Sequence, residues 1–392
     1  MKREGYLFEK VTDFHALSAA ARRAARGKGE SRPAASFLFN LEGEILSLQR
    51  ELLDGSYRPR PYRTFYISDP KPRTISAADF RDRVAHHSLC SVLEPLFERG
   101  AIRDSYACRP GKGSHLAVQR ARYFAMRFTR FLKLDIRKFF ESSDHDVLKA
   151  ALRRLVKDQR LLKLADRIID HGAPGSAVGK GLPIGNLTSQ HFANYYLSPL
   201  DHFIKEELRV PGYVRYMDDV LLFSNSKSFL RDAHARIQEF VERTLKLMLK
   251  SEVTVHAPVF EGIPFLGFRL WRRVVRLDGS GKRRLIRALR SGGHEVAEGR
   301  STIDELAASW RSRLGHAAHA DTLRLRRSWS RWMDFGSEAL RAPTASFVAG
   351  LGTTMPGTCG PPCATTTRPA IATPTSASAF RAHGNDAPSP PL

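Results

Sequence analysis

The chain has 392 residues, with 63 Lys and Arg against 40 Asp and Glu, a formal net charge of +23 and a pI near 10.3. That length exceeds what one compact unit needs, so two or three packed units are expected, and an apolar fraction of 42% supplies their cores. The positive excess creates a field matched to a phosphate backbone, with salt-dependent binding, a charge that ribosomal, membrane-surface and nucleic-acid proteins share.

The N-terminus MKREGYLFEKVTDF lacks an apolar signal core, and no run of 18 apolar residues occurs, so a cytoplasmic protein that stays off membranes is expected. Four cysteines are too few for a disulfide framework. Cys359 and Cys363 lie in a Pro/Thr-rich stretch without histidine at finger spacing, so zinc is not expected.

Taken in order, helices are predicted over 12–25 and 33–54, the second with Phe37, Phe39, Leu41, Ile45, Leu48, Leu52 and Leu53 on its apolar face. Two prolines in YRPRPYR break that pattern, and β-rich residues flank an Asp-Pro turn over 63–75. Helix resumes at 80–97. RFLKLDI (130–136) reads as a strand ending on an acid, followed by a helix over 144–156 with Asp144 as its N-cap. A Gly/Pro loop from 181 leads into a helix through FANYYLSPLDHFIKEEL. YVRYMDDVLLFS (213–224) is two β-rich arms around an acidic tip, a helix spans 227–249, and EGIPFLGFRL (261–270) is a strand pair. Residues 282–340 are basic and helical. From 343 the composition turns to Ala, Pro, Thr, Ser and Gly, which cannot form a packed core.

Asp135 ends one strand and Asp218–Asp219 occupy a hairpin tip, with helices between them to return the chain to one sheet. Adjacent carboxylates against Val220, Leu221, Leu222 and Phe223 are costly without a positive charge, and divalent metal is a natural counterion. Two such ions can activate a 3′-hydroxyl and stabilise leaving pyrophosphate. By themselves, an Asp-Asp pair also caps a surface turn and a single Asp also ends a strand. Spacing leaves both readings open.

Tyr216-Met217-Asp218-Asp219 within RYMDDVLLFS resembles the signature hairpin of reverse transcriptases, and LKLDIRKFF (132–140) resembles their first aspartate motif. GLPIGNLTSQHFANYYLSPLD (181–201) resembles the loop and helix between the two. PKPRTISAADFRDRVAHHSL (70–89) and SYACRPGKGSHLA (105–117) resemble fingers motifs of bacterial, group II intron-like enzymes, and IPFLGFRL (263–270) the primer grip. The blocks stand in family order. The resemblance implies an α+β right-hand polymerase: an N-terminal helical extension (1–65), fingers and palm (66–275) with an antiparallel sheet backed by helices, a helical thumb (282–342), and a disordered tail (343–392).

It also implies roles. Asp135, Asp218 and Asp219, with the Ile136 carbonyl, would hold two Mg²⁺ ions, Mn²⁺ being a substitute. Phe140, five residues after Asp135, would gate the sugar. Lys71, Arg73 and Arg81 would grip the triphosphate of the incoming dNTP, and Lys250 the pyrophosphate. Phe265, Leu266 and Gly267 would form the primer grip. Arg311, Arg313, Arg324 and Arg326, interleaved with Trp310 and Trp329, would track template RNA and its duplex with cDNA.

Within the family, Ile184-Gly185-Asn186-Leu187-Thr188-Ser189-Gln190 resembles the enzymes of diversity-generating retroelements, which copy a template repeat with errors at adenines. Those enzymes work with a small basic helical accessory protein. Ile184 stands where relatives place Gln against the nascent pair, with Gly185 and Gln190 beside it at the nucleotide. The Thr-rich stretch 351–380 is what an Asn-rich, adenine-rich template repeat yields one frame over. The rival readings are a retron-like or defence-associated reverse transcriptase and, in another class, an inactive RNA-binding scaffold.

Overall fold

A computed structural model describes residues 3–323, apart from 28, 30 and 69–71. Four helices open the chain: α1 (Phe8–Thr12), α2 (Phe14–Ala25), α3 (Arg32–Phe39) and α4 (Leu41–Asp54). The single helix expected over 33–54 is therefore two. Asn40 leaves helical geometry at φ −114° and ψ 45° and resets the phase, so Phe39 is 95% exposed while Ile45, Leu48 and Leu52 stay buried. Leu53 is also exposed, against the expected apolar face.

Strands β1 (Arg63–Ile67) and β2 (Arg73–Ala77) form the anticipated antiparallel hairpin. Helix α5 (Phe80–Gly100) carries Pro95 within it and packs on α2. Next come α6 (Ser114–Arg127), β3 (Arg130–Asp135), α7 (Phe139–Ser142), α8 (His145–Leu155) and α9 (Gln159–Asp170). Asp144 caps α8 as predicted, accepting from Val147 N at 3.0 Å. Helices α6 and α9 were not anticipated. Asp158 caps α9, and its other oxygen accepts from Leu7 N and Phe8 N, both at 2.8 Å. One carboxylate thus ties the start of the chain to a helix 150 residues on.

The helix expected through 192–208 is broken as α10 (Leu187–Tyr196) and α11 (Ser198–His202), because Pro199 has no N–H to continue α10 and suits the first turn of a new helix. There follow β4 (Gly212–Tyr216), β5 (Asp219–Ser224), α12 (Lys227–Leu245), β6 (Val255–Pro258), β7 (Ile263–Phe265), β8 (Phe268–Leu270) and β9 (Val275–Leu277). The expected pair β7–β8 gains β9 as a third strand. Helices α13 (Gly279–Ala297) and α14 (Ile303–Ala318) close the described chain. Thr302 and Glu305 form a capping box that fixes the start of α14. The remainder of the helical segment expected over 282–340, and the tail from 343, lie outside the described residues.

The central sheet runs β4-β5-β3-β6, all antiparallel. Period-two alternation divides its side chains between two cores. Leu132, Leu134, Val220 and Leu222 join the larger core with the helices, while Phe131, Val214, Leu221 and Phe223 face a second core with α6 and the β7–β9 sheet. Burying each such side chain is worth about 1.5–3 kcal/mol. A one-residue slip would send every one to the wrong core, so the register is strongly fixed. The ends of β3 and β5 follow from it. No described helix is long and apolar enough to cross a membrane.

His86 on α5 is 2% exposed, and neither ring nitrogen has a hydrogen-bond partner among the described residues. Burial, followed by the neighbouring His87, pushes its pKa down from 6.5 to about 3. Above pH 6.5 it is neutral folded or unfolded. Below 6.5 only the unfolded chain binds the proton, so stability falls as pH drops toward 3, by about 1.4 kcal/mol per pH unit from this group. His86→Leu is expected to flatten that part of the stability profile in denaturant melts; an unchanged slope would refute the assignment.

Candidate active site

In the β3–β5 pairing Asp135 stands directly opposite Asp219, so the two carboxylates share a face and a sheet end. Tyr216 pairs with Asp219 across β4–β5, leaving Met217 and Asp218 as a two-residue turn. Met217 takes a left-handed φ of 53°, a conformation that costs energy for a non-glycine residue and needs support.

That support is Arg215, whose side chain is 1% exposed. Its Nη1 donates to the Met217 carbonyl at 3.1 Å and to Asn194 Oδ1 at 2.9 Å. Nε and Nη2 grip both oxygens of the equally buried Asp201 at 2.6 and 2.5 Å, and Nη2 also reaches Ser105 Oγ at 3.0 Å. Tyr213 donates its hydroxyl to the same Asp201 at 2.6 Å. The bidentate fork suits arginine. Sequence reading missed this network; the signal was a charged residue among the apolar and aromatic residues of YVRYM.

The carboxyl groups are electrostatically frustrated. Burial first, then the charge of Asp135, raises the pKa of Asp218, while Arg73 and Arg215 oppose the rise. Burial raises Asp219 to about 6; Lys133 opposes it, and Asp135 and Asp218 add to it. Lys133 Nζ stands 3.1 Å from Asp219 Oδ1, yet that buried oxygen has no well-aligned hydrogen-bond donor among the described residues. Among those residues no three His, Cys, Asp or Glu side chains are already drawn together closely enough to hold a metal; Asp219 is turned to Lys133 instead. Even so, an all-oxygen set of three carboxylates at one sheet end, one with an oxygen left over, fits a hard divalent cation.

The backbone of the predicted Ile136 and Lys250 lies beside this end. Ile136 bridges to Leu249, Arg137 N donates to Met248 O at 2.8 Å, and Lys250 N donates to Asp135 O at 2.8 Å. Phe140 is half-buried and edge-on to Phe139, and its carbonyl accepts from Leu182 N at 2.7 Å. The 182–186 loop is stitched to the β1–β2 hairpin: Ser76 N donates to Ile184 O at 2.8 Å and Ala78 N to Asn186 Oδ1 at 3.1 Å. Gly185, at φ +117°, lies so close to β2 that a Cβ would sit 2.8 Å from Ile75 Cγ2. Gln190 is exposed, 3.7 Å from Cys108 Sγ. Arg73 at the start of β2 is exposed and acts on Asp218.

Leu266 and Gly267, both at positive φ, make the two-residue turn between β7 and β8, with Phe265 buried below. Arg311 and Arg313 are exposed on α14. Lys71, Arg324, Arg326 and Trp329 lie outside the described residues. Arg81 departs from expectation. Its side chain is 5% exposed and pairs with Glu51 at 2.6 Å, so it joins α5 to α4 and does not face a nucleotide.

Residues 68–270 match the reverse transcriptase (RNA-dependent DNA polymerase) family. Protein YkfC of Escherichia coli K12 is 26% identical over 316 residues, covering 68% of this chain and 83% of that protein. The group II intron-encoded protein LtrA of Lactococcus lactis subsp. cremoris is also 26% identical, over 170 residues that cover 42% of this chain but only 28% of that protein. A solved telomerase from Candida albicans aligns over 68% of this chain and 57% of its own, with 11% identity and a TM-score of 0.45. The family match spans more than half of the chain and takes in β2 through β8, so the protein belongs to the reverse transcriptases and is an RNA-directed DNA polymerase.

Proposed function

We propose that the chain copies an RNA template into cDNA at the sheet end formed by Asp135, Asp218 and Asp219. The observation that carries this is the β3–β5 register, which sets Asp135 against Asp219 beside the Met217–Asp218 turn. Divalent metal, Mg²⁺ in the first instance, would be held there by these carboxylates and the Ile136 carbonyl, and when bound supplies activation of the 3′-hydroxyl and neutralisation of leaving pyrophosphate. Arg73 and Lys71 bind the triphosphate, Phe140 meets the sugar and Lys250 the departing phosphates. The β7–β8 turn seats the primer end. Residues 66–275 serve as fingers and palm, and α13 and α14 begin a thumb whose arginines follow the duplex backbone. Primer extension on an RNA template with Mg²⁺ tests this, and a purified chain that adds no dNTP overturns it.

The finer reading is the diversity-generating type, acting with a small basic accessory protein. It is supported by Ile184, an apolar residue in the loop stitched to β2, where a Gln would add polar contact with the new pair. Ile184→Gln is expected to lower misincorporation opposite template adenine by about tenfold, the scale of one added polar contact, read by sequencing the cDNA. An unchanged error spectrum would dismiss the subtype. The intron-encoded nature of LtrA favours a second reading, a polymerase for intron-like RNA. That enzyme would copy adenines as faithfully as other bases.

A further inference from the structure

Lys133 lies two residues before Asp135 on β3, on the face shared by Phe131 and Asp135. Before the carboxylates that face is apolar, lined by Phe131, Leu221 and Phe223, and the lysine itself is 9% exposed. A buried ammonium is costly unless its donors are used. Two are used here. Nζ donates to Asp219 Oδ2 at 3.2 Å and to the Pro264 carbonyl at 3.0 Å. Pro264 is the middle residue of β7, the edge strand of the hairpin whose turn is Leu266–Gly267. One side chain therefore bridges the carboxylate end of the central sheet to the backbone of a different sheet.

We propose that Lys133 is a positioning residue: it fixes the Asp219 carboxylate relative to the β7–β8 hairpin, so that the acidic groups and the seat of the primer end keep one mutual geometry. The inference rests on the polymerase reading above and adds the residue that couples its two halves. Two consequences pull in opposite directions. A cation beside Asp219 competes with Lys133 for the same oxygens, so losing the ammonium strengthens metal binding. Losing the bridge frees the hairpin from the carboxylates, which slows the chemical step.

The test uses the full chain and Mn²⁺ alone, with free ion followed by electron paramagnetic resonance, beside steady-state primer extension. Lys133→Met is expected to bind Mn²⁺ about tenfold more tightly, the effect of one removed neighbouring charge worth about one pKa unit. Its kcat is expected to fall about 10–100-fold at near-constant dNTP KM, the scale of a misplaced reacting group. Lys133→Arg, keeping charge and donors, restores Mn²⁺ affinity to the wild-type value and recovers much of kcat. Lys133→Gln keeps a donor for Pro264 without the charge, and gives the same gain in Mn²⁺ affinity if the methionine variant does not fold.

Tighter metal binding with slower turnover supports the bridge. Wild-type kcat in Lys133→Met, or a joint fall of Mn²⁺ affinity, kcat and Tm, overturns it. The polymerase reading fails separately, when the wild-type chain itself does not extend a primer. If the wild type extends, Asp218→Asn does not, and Lys133→Met equals the wild type, only the bridge is lost.

Discussion

Asp218→Asn is expected to lose RNA-templated primer extension by about 10²–10³-fold in kcat, the scale for removing one preorganised electrostatic group from an active site, while its Tm in metal-free buffer stays level or rises. Both parts follow from the same geometry. Asp218 sits on a two-residue turn beside Asp135 and Asp219, and burial together with Asp135 raises its pKa. A charge held against that environment destabilises the empty fold, so the neutral isostere relieves repulsion. It also removes an oxygen anion that a divalent ion requires. Thermal melts and single-nucleotide extension on one preparation check the pair of outcomes. Extension at the wild-type rate, or a large fall in Tm, would show that the residue serves the fold and not the chemistry.

Arg215→Met is expected to cost about 3–5 kcal/mol of stability, the range for breaking a buried ion pair by removing one partner. Asp201 would be left buried with Tyr213 as a donor and no balancing charge. The carbonyl of Met217 loses its donor in the same change, so the strained turn that presents Asp218 loosens. The double variant Arg215→Met/Asp201→Asn separates the two effects. Asn still accepts from Tyr213 without carrying a charge, and most of the lost stability should return in denaturant melts. Primer extension should not return with it, because nothing holds the Met217 carbonyl. Full recovery of both would mean that the pair matters for stability alone.

Much of this was legible in the residues. The alternation in RFLKLDI and YVRYMDDVLLFS specified three strands with acids at their ends, because period-two burial leaves few other solutions. Asp144 announced its helix, and Pro199 marks the break inside the segment expected as one helix. The short spacing at Leu266–Gly267 marked a hairpin. The order of motifs identified the family, and residues 68–270 match it.

Other features depend on partners distant in the chain. Arg81 and Arg73 read alike, yet one is buried against Glu51 and the other exposed and acting on Asp218. Arg215 and Lys133 are charges inside strands, and their partners Asp201, Asn194, Asp219 and the Pro264 carbonyl are brought to them only by the fold. Phe39 fitted an apolar stripe that Asn40 interrupts. Local periodicity and side-chain chemistry were enough for β3, β4, β5, the β7–β8 pair and the family, while β6, β9 and the register that sets Asp135 opposite Asp219 came only with the folded sheet. Tertiary structure alone decided which charges are struts and which face the site, because the free energy of a buried ion depends on partners placed by the fold and not by neighbours in the chain.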